Sequence, residues 1–151
     1  MDTRNRILPP EVLIPELLAL LDQAESLPLT ISGSSMTPFL VHGRDTVYLS
    51  KVTRALKRGD MILYQRRNGQ YILHRICRVH PDCYDLVGDA QTDIEPGVRP
   101  EQIRALVNTV RRKGKLLKKG DFWWDFFEGF WLKIIPLRSY IRRVYSLFRH
   151  K

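Results

Sequence analysis

The stretch Ile31-Ser32-Gly33-Ser34-Ser35-Met36-Thr37-Pro38-Phe39-Leu40 decides how the rest of the chain is read. It follows a short apolar run, Leu27 to Ile31, with the length and composition of a strand. Gly, Ser, Ser and Pro then fall between positions 33 and 38, so the chain must turn sharply there. A hydroxyl at a strand-to-turn junction is held on backbone and can be aimed. A nucleophile needs that placement relative to its base and to oxyanion donors. Ser35 is the candidate. The same residues also suit an ordinary polar turn, with Ser34 or Ser35 as a helix N-cap, so the rest of the chain has to separate the two readings.

Three further segments come after it in order. Gly59-Asp60-Met61-Ile62-Leu63 reads as a turn leading into a strand. His74-Arg75-Ile76 sits in a long apolar run in which Ile72, His74 and Ile76 share one strand face. Gly88-Asp89-Ala90-Gln91-Thr92-Asp93 is a loop that carries two carboxylates. Together with Ser32-Gly33-Ser34-Ser35-Met36-Thr37-Pro38, this order resembles the type I signal peptidases and the related self-cleaving repressor peptidases, over residues 27 to 113. His74 stands where that family has its general base. A His there, in place of Lys, is similar to the endoplasmic-reticulum and archaeal branch.

The resemblance implies a triad of Ser35, His74 and Asp93, with Asp89 as the alternative acid. Asp89, directly after Gly88, equally suits a loop-holding role that accepts backbone N–H bonds. The resemblance also implies oxyanion binding by the Ser35 backbone N–H. Lys-type members place a Ser two residues before the nucleophile; Gly33 occupies that position here, so a second donor falls to Ser34 or Ser32. An extended peptide bound as an added strand, small residues before the cut, and no metal or cofactor complete the expectation. The chemistry is coherent by itself. A neutral serine is a poor nucleophile, an imidazole can take its proton near neutral pH, and a carboxylate can fix the imidazole tautomer.

At 151 residues the chain is expected to form one domain with a real core. Its net charge of +9 invites anionic partners. Cys77 and Cys83 do not make a disulfide framework and read as two reduced thiols. There is no Cys/His cluster at zinc-ligand spacing. No basic start leads into an apolar segment, so neither a signal peptide nor a membrane span is expected, and a cytoplasmic protein, peripheral on the membrane, is the expectation.

The fold class expected is mainly β: a signal-peptidase-like coiled sheet domain over 27–115, an N-terminal helical segment within 1–26, and an aromatic and basic amphipathic helical tail over 121–151. The first helix is predicted over Glu11 to Leu27, with Pro15 in its first turn. Strands are predicted at Thr46–Leu49, Met61–Gln65, Gln70–Val79, Tyr84–Val87 and Leu106–Arg112, and one helical turn over Pro100–Ile103. His42, His80 and His150 lie outside any motif and read as surface or turn residues. In the tail, helical spacing puts Trp123, Phe127, Phe130 and Ile134 on one face, up to a break at Pro136. A second helix sets Leu137, Ile141, Val144 and Phe148 against Arg138, Arg142, Arg143 and Arg149. Aromatic beside basic residues suggests an acidic-lipid surface as partner, in preference to nucleic acid, whose stacking would interleave aromatics with charges. The functional expectation is a serine endopeptidase that cleaves a signal, leader or precursor peptide. The alternatives are a cytosolic self- or partner-cleaving regulatory peptidase, and a non-enzymatic basic membrane- or nucleic-acid-binding protein on a degenerate peptidase fold.

Overall fold

The computed structural model describes residues 10–149; His150 lies outside them. Helix α1 (Pro10–Leu20) leads into strands β1 (Leu27–Thr30), β2 (Thr46–Ser50), β3 (Met61–Gln65), β4 (Tyr71–Val79), β5 (Tyr84–Val87), β6 (Glu95–Val98), β7 (Ile103–Arg112) and β8 (Lys115–Lys118). Helices α2 (Phe122–Glu128), α3 (Phe130–Lys133) and α4 (Arg138–Arg149) close the chain. All eight strands join one antiparallel sheet in the order β1-β2-β7-β3-β4-β5-β6, with β8 pairing on β7. The mainly β expectation holds.

Strand β3 shows why the sheet has two covered faces. Its residues Met61 to Tyr64 are all buried. Alternation sends Met61 and Leu63 into one core and Ile62 and Tyr64 into the other. The first core is the larger and takes in Ile14, Ile31, Met36, Phe39 and Leu40. The second gathers Ile62, Tyr64, Ile76, Leu86, Val98 and Leu106. Strand β4 is longer than either neighbour's pairing. Tyr71 to Arg75 pair with β3, whereas β5 pairs only from Arg75 onward. One edge of Tyr71–Leu73 is therefore without a strand among the described residues.

Several expected boundaries move. The first helix stops at Leu20, and Leu27 opens β1. Strand β7 begins at Ile103, directly after the 3-10 turn Pro100–Gln102. β6 and β8 have no counterpart in the sequence reading: β6 contains Pro and Gly, and β8 is a four-residue hairpin return, Lys-Leu-Leu-Lys, through Lys113 and Gly114, both at positive φ. Cys77 and Cys83 are both free thiols.

The tail differs most. Helix α2 ends at Gly129, whose φ of −105° and ψ of −81° interrupt the helix and rotate α3 relative to it. The expected apolar face of Trp123, Phe127, Phe130 and Ile134 is not the one that packs. Trp124, Phe127, Trp131 and Leu132 are buried, while Trp123 and Phe130 are exposed. Phe39 meets both Trp124 and Phe127, with ring centroids 6.2 and 4.8 Å apart. Truncating one such buried aromatic costs about 3–5 kcal/mol, so α2 and α3 are part of the domain. Arg138 likewise departs from its expected solvated face, being fully buried. Among the described residues no helix is long and apolar enough to cross a membrane.

Candidate active site

Ser35 sits on a turn fixed from several directions. Gly33 adopts a φ of +83°, a left-handed conformation that glycine reaches without strain. Its N–H donates to His42 Nδ1 at 2.9 Å, so His42, read from sequence as a surface or turn residue, holds the turn. Both the N–H and the hydroxyl of Thr37 donate to the Ser34 carbonyl. Met36, Phe39 and Leu40 anchor the far side in the first core. The Ser35 carbonyl accepts from the Ala90 N–H at 2.9 Å, which ties the turn to the Gly88–Gln91 loop. Among the described residues the Ser35 N–H and Oγ take no hydrogen bond, so both remain available to a ligand. Ser32 and Ser34 are exposed.

His74 lies opposite Ile62 in the β3–β4 register and is 4% exposed. Its Nδ1 is 3.4 Å from the Tyr64 hydroxyl, and that hydroxyl donates to Glu95 Oε2. With the Tyr64 proton directed to Glu95, the hydroxyl oxygen is left to accept from Nδ1–H. This assigns the tautomer and leaves the lone pair on Nε2. Arg66 Nε donates to the other Glu95 oxygen at 2.8 Å. Burial pushes the Tyr64 hydroxyl pKa up, and the Glu95 hydrogen bond pushes the same way. His74 Nε2 has no hydrogen-bond partner, yet no buried side-chain N or O goes unpartnered among the described residues. Nε2 therefore keeps some solvent access, and His74 borders a cavity of about 400 Å³.

Gly88 is where the two residues meet. A Cβ built on it would lie 2.5 Å from the Ser35 carbonyl oxygen and 3.1 Å from His74 Nε2. Only a glycine lets both approach. The side chains nonetheless border different spaces. His74 lines the cavity with Gln91, Asp93 and Glu95, and Ser35 lines a groove of about 240 Å³ between Leu29–Gly33 and Gln70–Leu73. No hydrogen bond joins Ser35 Oγ to His74.

The expected acids are placed apart from the imidazole. Asp93 is exposed on the rim of the same cavity and makes no hydrogen bond to His74. Asp89 is fully buried, and both its oxygens are taken by Arg75, Nε to Oδ1 and Nη2 to Oδ2, each at 3.0 Å. Asp89 is thus held by the Arg75 guanidinium, and among the described residues no backbone N–H makes the expected bond to its carboxylate. Glu95, reached through Tyr64, is the carboxylate coupled to His74. Nothing in the local sequence marks it, because its proximity comes from β6 pairing on β5.

Burial lowers the His74 pKa from 6.5 to about 4, partly offset by Glu95, with Arg66 lowering it and Asp89 raising it. The imidazole is neutral and able to accept a proton over the physiological range. The shift also carries a stability consequence. Between pH 6.5 and 4 the unfolded chain binds a proton at this site and the folded chain does not, so stability falls as pH drops through that window. About 3 kcal/mol should be lost there. Urea unfolding at pH 7 and pH 4.5 should show that loss, and His74→Leu should flatten it. An unchanged slope in the variant would mean that the imidazole is solvated.

The Gly88–Gln91 loop is held from outside by the C-terminal helices. Arg138 donates from Nη1 to the carbonyls of Gly88 (3.0 Å) and Gln91 (2.9 Å), and from Nη2 to that of Trp131 (3.0 Å). Trp131 Nε1 donates to the Asp89 carbonyl at 2.7 Å, and Arg142 Nη1 to that of Ala90 at 2.7 Å. Among the described residues no group of three or more His, Cys, Asp or Glu is placed to hold a metal ion. Comparison with protein-family models, with curated proteins and with solved structures returned no match.

Proposed function

We propose that the chain is a serine endopeptidase of the signal-peptidase type, with Ser35 as nucleophile and His74 as general base. The observation that carries this reading is the convergence at Gly88: the main-chain carbonyl of the turn-mounted Ser35 and Nε2 of the neutral His74 imidazole flank one glycine. The groove beside Ser35 supports a peptide substrate. It runs between β1 with its extension and the unpaired edge of Tyr71–Leu73, over a floor of Ile31, Met36 and Leu63. An extended peptide can add there as a strand, with main-chain hydrogen bonds for affinity and the apolar floor for side-chain choice.

In this reading Ser35 Oγ turns across Gly88 to Nε2, gives up its proton, and attacks the scissile carbonyl. The Ser35 N–H stabilises the oxyanion. Nε2 then returns the proton to the leaving amine, and water repeats the sequence on the acyl-enzyme. Tyr64 and Glu95 are positioning residues that hold Nδ1–H and stabilise the imidazolium as it forms.

The acid limb of kcat/KM should accordingly fall with a midpoint near pH 4, well below that of a solvated histidine. Glu95 raises the His74 pKa, so Glu95→Gln should move the limb lower still. Tyr64→Phe and Glu95→Gln should each reduce kcat about 10²-fold with little change in KM. A pH–rate profile and a kcat–KM split on a cleaved peptide check this. An unmoved limb in Glu95→Gln would remove the relay from the mechanism.

A further inference from the structure

Helix α4 is amphipathic, and it packs by its basic side. Arg138 is fully buried, and the exposed Arg142 reaches the Ala90 carbonyl, so these two guanidiniums fasten the helix to the Gly88–Gln91 loop. Most of the apolar face is left outward: Tyr145 is 68% exposed, Leu147 72% and Phe148 75%, while Val144 is half-buried. At about 100° per residue, Tyr140, Ile141, Val144, Tyr145, Leu147 and Phe148 fill one continuous arc. Arg143 and Arg149 border that arc on its two sides, exposed and without ion pairs among the described residues.

The chemistry of this face selects its occupant. The helix carries four arginines and no acidic residue, and the whole chain is at +9. A second copy docked through α4 would bring like charges together, whereas an anionic bilayer offers apolar depth for the arc and phosphates for the flanking guanidiniums. Tyrosines at 140 and 145 have an apolar body and a polar tip, which suits the headgroup level.

We propose that α4 docks on an anionic lipid surface through this arc, while Arg138 and Arg142 keep it fastened to the Gly88–Gln91 loop. The cavity bordered by His74 is bordered also by Ser139 and Arg142 of α4, so docking holds that cavity beside the bilayer. Catalysis is not required for the interaction, and its test does not read activity.

The full chain is sedimented with vesicles of phosphatidylcholine alone or mixed with phosphatidylglycerol. Wild type and Ser35→Ala should bind the anionic vesicles equally, and neutral vesicles far less. Leu147→Glu with Phe148→Glu should weaken anionic binding at least about tenfold. The pair Arg143→Glu and Arg149→Glu should do likewise with the apolar arc intact. Each residue is exposed, so thermal unfolding should stay as in wild type. Equal binding by the Leu147/Phe148 variant would overturn the proposal. So would a wild-type chain that ignores anionic vesicles, or one that forms a dimer which Phe148→Glu dissolves.

Discussion

Ser35→Ala is expected to reduce peptide cleavage by at least about 10⁴-fold. The hydroxyl is the only atom removed. It makes no hydrogen bond among the described residues, and the turn is held by Gly33, Thr37 and the Ala90 bond, all independent of it. The variant should therefore unfold at the wild-type temperature and retain substrate affinity. His74→Ala should fall to a similar floor, and the double variant should be no worse than either single, because serine and imidazole act as a unit. Additive losses would mean that the two residues do not share one step.

Arg138→Leu is expected to destabilise the protein about as much as truncating a buried aromatic of α2. The guanidinium supplies donors to the carbonyls of Gly88, Gln91 and Trp131, and it lies 5.3 Å from the Trp131 ring centroid. Burial lowers its pKa, with Asp89 opposing that shift, and among the described residues no carboxylate pairs with it directly. Leucine would take the guanidinium donors from the Gln91 and Trp131 carbonyls at about 1–3 kcal/mol each, while the Gly88 carbonyl keeps the Gln91 N–H. A total of about 3–5 kcal/mol should lower Tm by about 10 °C or more. Arg138→Lys should recover little, since one ammonium cannot reproduce a planar fork aimed at three carbonyls. Arg142→Ala removes a single exposed contact and should stay within about 1 kcal/mol. Activity in Arg138→Leu should fall further than the unfolded fraction explains, because the loop it holds sets the position of both Ser35 and His74.

The contrast between these residues shows what a sequence displays and what it hides. Ser35 and His74 are singled out by the resemblance; the local patterns, a turn after a strand and a polar residue on an apolar strand face, equally suit a helix N-cap and a core histidine. The Gly88–Gln91 loop then brings the Ser35 carbonyl and His74 Nε2 to one glycine without any local signal, while the two side chains border separate spaces. Asp93 was expected as the acid from its place in the loop, and it stands exposed on the rim. Glu95 is coupled to the imidazole only because β6 folds back on β5 and places it beside Tyr64. The tail departs from expectation for a related reason. Helical spacing gave two amphipathic segments, but Gly129 breaks the first, and the choice of packed face belongs to Phe39 and the Gly88 loop. Arginine faces are usually solvated, so nothing in the sequence announced that Arg138 would be a core residue.

The most direct test is a peptide-library digest, read by mass spectrometry, with wild type and Ser35→Ala side by side in the presence of anionic vesicles. Wild type should release products that share one cleavage pattern, and the Ser35→Ala digest should contain none of them. Identical products from both proteins, or intact peptides from both, would contradict a Ser35 peptidase.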